Sequence, residues 1–441
     1  MPKIDQSTGS PLIAATKLWN DRDRERWSVC LFAGTALLFS ARAALPISIA
    51  RIAADFDWNK STSGAVLSSF FWGYASTQLV AGWLADRLGG HRLLPSAALV
   101  WSLLTLATPL FLDLAHLTSY PIPIIISLRI LTGIAQGFHI PSMASMVSRH
   151  LTATEKGRIF GFVLAGSHVG VVLAGGVGSL LLDASGWRTL FHVAGLVSLA
   201  WSMSFRVLTE NPVDLKQPLP LLSMKENEGE KKMMIFSETA DIPWKALFSH
   251  PAFWAAAAAQ YAGGNAYYTI FNWLPSFFHD TFPDAKGVLY NVLPGLCIVC
   301  TSVASPCLAT RLLSSGHSLT RTRKIIEGVS LIGLAMCLLL VPGCSSFWPA
   351  LALLSLALAF RGFHHGGVSV NPHDFAPNHT GAVFGIFNAF GSVTGFVGVY
   401  IAGHVLEATG NNWSLVFWLT AAQCLIGCAV FSFAGTASRI I

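Results

Sequence analysis

Apolar windows of about 20 residues recur along the whole chain, and each is long enough to cross the roughly 30 Å hydrocarbon core of a bilayer. Of the 441 residues, 53% are hydrophobic and 11% are charged, about half the charged fraction of a soluble domain. Because lipid satisfies no backbone polar group, the pattern predicts an all-α membrane protein. We interpret it as twelve spans, at residues 28–50, 64–85, 93–113, 121–147, 159–182, 189–208, 253–278, 289–310, 326–343, 348–370, 382–405 and 414–435.

Basic residues are unevenly distributed between the loops on the two sides of the predicted membrane. Of the 28 Lys and Arg residues, three lie within spans and 21 lie on the side of the N-terminal tail. The other four lie on the opposite side: Arg51, Lys60, Arg188 and Lys286. This positive-inside pattern predicts that both termini are cytoplasmic. The net charge of +6 therefore reflects topology, and we expect no nucleic-acid partner.

The two halves of the chain resemble each other at a nearly constant offset of 224 to 226 residues. The matching segments are 84–88 with 308–312, 160–161 with 384–385, 166–170 with 391–395, and positions 187 and 191 with 413 and 417. Such a repeat predicts two six-helix bundles in the same orientation, with a transport site between them. The predicted parts are a cytoplasmic tail (1–27), an N-terminal bundle (28–208), a cytoplasmic linker (209–252), a C-terminal bundle (253–435) and a short cytoplasmic C terminus (436–441).

Two arginines, Arg42 and Arg129, lie in the middle of apolar windows, where a guanidinium costs about 3 kcal/mol or more. All 22 Asp and Glu residues fall in loops or at span edges, Glu327 among the nearest. Positive charge without negative charge favours an anion pathway, and guanidinium forks suit phosphate oxygens. We expect both arginines to reach one midplane cavity, with Arg361 and His365 nearer the cytoplasm. The alternative is that each arginine caps backbone carbonyls or snorkels along a neighbouring helix.

The loop after the second span, residues 82–92, resembles the signature G-x-x-x-D-R-x-G-x-R-R of the major facilitator superfamily, with His91 replacing one basic residue. The resemblance implies that superfamily's fold, twelve transmembrane helices in two six-helix bundles. Glycines allow the helices to approach, and Asp86 could pair with cations or helix ends of the neighbouring bundle. Thr310 replaces this aspartate in the second half. The predicted conformational latch consists of Gly82, Asp86, Arg87, Gly90 and Arg92.

Three further segments resemble the anion/phosphate transporter family, which includes the vesicular glutamate transporter, sialin and the sodium-phosphate transporters. They are residues 69–74, Arg129 with 136–137, and 370–377. Within that family, residues 57–60, 66–74, 282–287 and 369–371 resemble the branch that transports nucleotides. The resemblance covers the whole chain and implies that Arg129 is the family's essential span-four arginine and that Arg42 is its span-one arginine.

The sequence departs from the glutamate-transporting branch at three positions. Gln136 replaces a glutamate, Ser68 replaces a histidine of span two, and Gly263 replaces an arginine of span seven. An amide binds and releases no proton in the physiological range, so Gln136 disfavours proton symport.

The resemblance implies a carrier that loads nucleotides (ATP, also ADP and GTP) into secretory, synaptic or lysosome-like vesicles. It implies that membrane potential drives transport, that chloride activates it, and that the carrier functions as a monomer. Aromatic and amide side chains could contact the base, since stacking contributes about 1–3 kcal/mol per base. The weaker candidates for this role are Phe71, Tyr74, Gln136, Tyr268, Asn265 and Asn388.

Three alternatives remain open at the level of sequence. The first is a sodium- or proton-coupled carrier of inorganic phosphate or of an organic anion such as glutamate or sialate. The second is an anion channel. The third is an intramembrane enzyme, which is disfavoured because no acid/base pair or nucleophile constellation lies at membrane depth. Cys297 and Cys300 lack a second ligand pair, so we expect no metal and no cofactor other than chloride.

Overall fold

A computed structural model of the protein describes residues 19–151, 153–210, 243–377 and 380–441. Within these ranges the chain forms fifteen α-helices and no β-strand. The helices of the N-terminal half are α1 Asp21–Asp55, α2 Lys60–Leu88, α3 Gly90–His116, α4 Pro121–Gly137, α5 His139–His150, α6 Ala153–Leu173 and α7 Ser179–Glu210. Those of the C-terminal half are α8 Trp244–Ser249, α9 Pro251–Thr281, α10 Gly287–Ser314, α11 Leu319–Leu340, α12 Phe347–Gly362, α13 Asn371–Phe375, α14 Thr380–Ala408 and α15 Trp413–Ala434.

Each of the twelve predicted spans coincides with one described helix or with consecutive helical segments, so the predicted fold class is confirmed. Nine described segments qualify as membrane spans by length and apolar composition alone. One of them, Arg158–Leu208, contains two spans because α7 breaks at Gly186, whose φ of 80° favours glycine. The remaining two spans are α2 and α9.

Several boundaries differ from those predicted. Helix α1 begins at Asp21, inside the predicted tail, because the Asn20 side chain caps it by accepting from the Asp23 N–H at 2.8 Å. Most of the predicted linker, residues 211–242, lies outside the described residues. Its described end contains α8.

The fourth and tenth spans are interrupted helices. Helix α4 is followed at once by α5 along span four. In span ten, α12 ends at Gly362, and two 3₁₀ turns, Phe363–Gly366 and Val368–Val370, lead to α13. Broken helices at membrane depth are tolerated where they line a cavity or are buried in protein.

The halves are joined at the end where α2 begins, which we call the far end. The end that carries residue 19 and the C terminus is the tail end. Lys60 Nζ lies 2.6 Å from Asp280 Oδ2, and the Lys60 N–H donates to Glu407 Oε2 at 3.0 Å. Gly64 of α2 packs against Gly403 of α14, where a Cβ on Gly403 would lie 2.9 Å from the Gly64 Cα. An ion pair and a glycine contact thus close the far end.

The glycine contact leads to a first prediction. A methyl group at Gly403 would lie 2.7 Å from the Lys60 carbonyl oxygen, and overpacking of this kind costs about 1–3 kcal/mol. We expect Gly403→Ala to lower the equilibrium ratio of molecules with a closed far end to those with an open far end about tenfold, since about 1.4 kcal/mol corresponds to a factor of ten. The measurement is maleimide labelling, from the far side, of a Ser276→Cys reporter in a Cys344→Ser background. Ser276 is buried and borders a pocket of about 310 Å³ between the halves at the far end.

The matched control is Gly385→Ala on the same helix, because a Cβ at Gly385 meets no atom within 4 Å. Equal labelling rates for the Gly403 and Gly385 variants would show that this contact does not hold the far end closed.

Candidate anion-transport site

A cavity of about 510 Å³ lies between the two halves. Its wall is formed by residues 161–168 of α6 and 384–391 of α14, which are in the tail-end parts of their helices, so the cavity faces the tail end. The remaining wall comes from α9, α10 and the interrupted tenth span. Its polar and aromatic side chains are Arg361, His168, His364, His365, Gln260, Asn388, Ser167, Ser302, Ser369, Tyr267, Tyr268, Phe384 and Phe387. This volume lies within the range of small-molecule sites in proteins.

Arg361 supplies a guanidinium to this cavity. Its Nε donates to the carbonyl oxygen of Gly263 at 2.9 Å, and a Cβ at Gly263 would lie 3.4 Å from the Arg361 Cζ. Gly263, which replaces an arginine of span seven, therefore leaves room for the Arg361 side chain of span ten. The carbonyl engages one N–H and leaves the rest of the guanidinium fork for other acceptors.

A carboxylate is buried beside the cavity, which corrects the expectation that acidic residues lie only in loops and at span edges. Helix α11 begins at Leu319, capped by Ser318, so Glu327 lies in its third turn and is fully buried. Both carboxylate oxygens lie close to His364 Nδ1, at 2.9 and 3.0 Å. The Val368 N–H donates to Oε2 at 2.9 Å.

Arg42 and Arg129 are buried in the N-terminal half, 5% and 7% exposed, and neither forms an ion pair with a described carboxylate. Arg42 Nε donates to Gln136 Oε1 at 3.2 Å, whereas its Nη2 is buried without a partner. Arg129 Nε is likewise buried without a partner. The guanidinium carbons lie 4.8 and 5.3 Å from the centroid of the Phe70 ring. Both arginines thus keep unsatisfied donors at membrane depth.

The two arginines do not line the cavity in this conformation, contrary to the expectation that both reach it. Rings of Phe70, Phe71 and Tyr74 from α2 and Tyr268 from α9 form an aromatic partition between them and the cavity. The Arg42 Cζ lies 4.7 Å from the Tyr74 ring centroid, and Phe71 lies 4.7 Å from Tyr268, which borders the cavity. The partition combines rings from both halves, so a separation of the halves would open it.

The weaker candidates are divided between these environments. Phe71, Tyr74 and Tyr268 belong to the aromatic partition, and Gln136 is buried against Arg42. Asn388 borders the cavity and donates to Gln78 Oε1 of the other half at 3.0 Å.

Asn265 is a correction, because it does not line the cavity. It packs against Gly398 and donates to Gln423 Oε1 at 2.6 Å, within the C-terminal half. The residue sits on the face of α9 that turns toward α14 and α15.

The structure describes the side chains of the predicted latch residues except that of Asp86. Gly90 packs so closely on the Ser142 backbone that any side chain there would overlap it, and no atom surrounds a Cβ placed on Gly82. Arg87 is exposed, and its Cζ lies 4.4 Å from the Trp83 ring centroid on its own helix. The remaining members are Arg92, which is exposed, and Asp86, whose side chain lies outside the described residues. The latch stays a prediction.

Two features of this site are absent from the candidates drawn from the sequence. One is His168, which borders the cavity with its ring 6.3 Å from that of His365. The other is the contact between Glu327 and His364. Glu327 and His364 were separated in sequence by a loop and a span, and no pattern paired them. The described residues contain no group of three or more His, Cys, Asp and Glu that could hold a metal ion.

Comparison with known proteins identifies the family. The sequence matches the family Major Facilitator Superfamily over residues 31–399. The chain belongs to this superfamily.

Relatives within the superfamily cover the chain along its full length. It is 36% identical to the voltage-gated purine nucleotide uniporter of Mus musculus, over all of this chain and 96% of that protein. It is also 36% identical to the Homo sapiens protein of the same name, over 97% of this chain and 95% of that protein. A probable chloroplastic anion transporter of Arabidopsis thaliana is 31% identical over 85% of this chain and 73% of that protein. These relatives confirm the anion/phosphate transporter family that the motifs indicated.

Solved structures of major facilitator proteins share the fold. A bacterial homologue of the human lysosomal transporter Spinster superposes with a TM-score of 0.72 at 14% identity, covering 94% of this chain and 98% of that chain. A D-xylose–proton symporter gives 0.69 at 14% identity, with coverages of 93% and 98%.

The contact between Arg42 and Gln136 leads to a second prediction. In Gln136→Glu, a carboxylate would take the place of the amide oxygen that lies 3.2 Å from Arg42 Nε and would neutralise the guanidinium. We expect anion uptake into proteoliposomes to fall at least about tenfold, since one lost charge-assisted hydrogen bond corresponds to that factor. Gln136→Met, which has similar volume and no charge, is the control and should retain most of the uptake. Equal uptake by the Glu variant and the wild type would contradict the assignment.

Proposed function

We propose that this major facilitator carries purine nucleotides, ATP among them, across a membrane by alternating access. The observation on which the proposal depends is the pair of buried guanidiniums, Arg42 and Arg129, that have unsatisfied donors and no described carboxylate partner. Their natural counterpart is an anion with several oxygens, as in a polyphosphate. The full-length similarity to purine nucleotide uniporters supports the choice of nucleotide.

The cavity provides the first contacts of this cycle. Arg361 and His365 border it and receive the phosphates, while Tyr267 and Tyr268 offer ring faces for a base. With both termini in the cytoplasm, the cavity faces the cytoplasm and the closed far end faces the vesicle lumen. Phosphates advance to Arg42 and Arg129 when the aromatic partition opens.

Membrane potential supplies the driving force. A nucleotide with roughly four negative charges gains about 9 kcal/mol on entering a compartment 100 mV more positive, at about 2.3 kcal/mol per charge. No coupled sodium ion or proton is needed for this gain. The compartment is a secretory, synaptic or lysosome-related vesicle, chloride acts as an activator, and the carrier functions as a monomer.

A third prediction tests the substrate and the arginines together. Purified protein in liposomes with an imposed inside-positive potential should accumulate radiolabelled ATP, and unlabelled ADP and GTP should compete more strongly than phosphate or glutamate. Arg129→Ala and Arg42→Ala should reduce uptake to a few per cent, by analogy with the loss of a buried charge-assisted contact, which costs about 1.5–3 kcal/mol per hydrogen bond.

Arg311→Gln is the matched control, since Arg311 is exposed on α10 and forms no part of the cavity. It should transport at the wild-type rate. Uptake of phosphate or glutamate without ATP would replace the nucleotide by an inorganic or organic anion. Current that never saturates with substrate concentration would indicate a channel.

A further inference from the structure

A buried acid–imidazole pair borders the cavity and has no role in the transport cycle described so far. Glu327 is fully buried, and His364 is 3% exposed and lies on the 3₁₀ turn Phe363–Gly366. The two carboxylate oxygens flank His364 Nδ1, and the Val368 N–H donates to Oε2. His364 also forms part of the cavity wall.

This geometry fixes which ring nitrogen is free. A carboxylate only accepts, so His364 Nδ1 carries a hydrogen and donates it to Glu327. Nε2 is then the remaining polar atom of the ring, and it is not among the buried atoms that lack a partner. In the neutral ring, Nε2 presents a lone pair, which repels an anion; in the protonated ring, it presents an N–H donor.

The surrounding segment holds the ring in this orientation. A side chain at Gly367 would overlap the Glu327 carboxylate, so the backbone packs directly on it. Arg323, one turn before Glu327 on α11, donates to the Gly366 carbonyl oxygen at 3.0 Å and pairs with Asp374 of α13 at 3.0 Å. Arg323 and Glu327 of α11 thus both bind residues of the interrupted tenth span and of α13 that follows it.

We propose that Glu327 and His364 form a proton-controlled donor for the phosphate of the substrate. Nε2 of the neutral ring takes a proton from water in the cavity, and the charge of the pair changes from −1 to zero. The imidazolium then donates Nε2–H to a phosphate oxygen, and the carboxylate stabilises the added charge. The inference rests on the proposed function in one respect, that the transported anion carries phosphate.

Other titratable and charged groups face the same region from every packed element. They are Arg361 of α12, His365 of the same turn, His168 of α6, Tyr267 and Tyr268 of α9, Cys424 of α15, and the Arg323–Asp374 pair. Burial of the ring opposes protonation of His364 most strongly and Arg361 opposes it as well, whereas the Glu327 carboxylate favours it. The incoming phosphate adds negative charge and so also favours the protonated ring.

The fourth prediction concerns the pH dependence of KM. Wild-type KM for ATP should rise roughly tenfold as the pH on the cavity side increases from about 6 to about 8.5, because a charge-assisted hydrogen bond is lost. In Glu327→Gln, the Val368 N–H holds the amide oxygen at the Oε2 position, so the amide NH2 takes the Oε1 position 2.9 Å from Nδ1, donates to it and favours the Nε2–H tautomer. Its KM should therefore vary little with pH beyond the substrate's own titration.

A second variant keeps the contact and removes the donor. In His364→Asn, the amide nitrogen replaces Nδ1 and still donates to Glu327, but nothing replaces Nε2. Its KM should be flat and about tenfold above wild type at pH 6, with kcat largely retained. The titration of the substrate phosphate is common to the three proteins and cancels in the ratios of KM.

The outcomes separate this inference from the proposed function. If His364→Asn has the wild-type KM and the same dependence of KM on pH as the wild type, His364 is not a donor to the substrate. The Glu327–His364 pair then has only a structural role. If wild-type protein takes up inorganic phosphate and no nucleotide, the proposed substrate is wrong, and the same three KM series with phosphate decide the donor role.

Discussion

The rest of the site depends on how two guanidiniums are kept inside a low-dielectric bundle. Arg42 is surrounded by the rings of Phe39, Phe70 and Tyr74 and by the neutral amide of Gln136. A desolvated cation–π contact contributes about 2 kcal/mol, which offsets part of the burial cost without cancelling the charge. A carboxylate would have neutralised it permanently. The bundle therefore retains a positive field behind the aromatic partition, available to an anion that can reach it.

The two halves differ in the side chains that compensate their buried charges, although their sequences resemble each other. In the N-terminal half, the arginines are compensated by rings and an amide; in the C-terminal half, Glu327 accompanies His364 beside the cavity. A fixed field on one side and a titratable pair on the other suit different stages of transport. The tenth span is interrupted where the pair lies, since Gly367 must leave room for the carboxylate.

The fold could be predicted from sequence because span length and apolar composition are local properties, and all twelve windows fall on helices. The site could be predicted only in part. Helix α11 begins at Leu319, about two turns before the apolar window at 326, so the depth of Glu327 was hidden by the polar residues that precede it. Asn265 was misplaced because its side chain packs against Gly398 and bonds to Gln423, although Tyr268, about one turn further along α9, borders the cavity. That distinction requires the tertiary arrangement.

Closure of the far end and closure of the aromatic partition are mechanically linked. Both depend on α2 packing against α14: Gly64 meets Gly403 near the far end, and the Phe71 ring lies so close to Gly395 that any side chain there would overlap it. Phe71 simultaneously contacts Tyr268 of α9 at 4.7 Å. A rocking motion that separates α2 from α14 therefore removes Phe71 from its partners in the same step that opens the far end. In the proposed transport cycle, the arginines would become exposed as access changes, which is the coupling that alternating access requires.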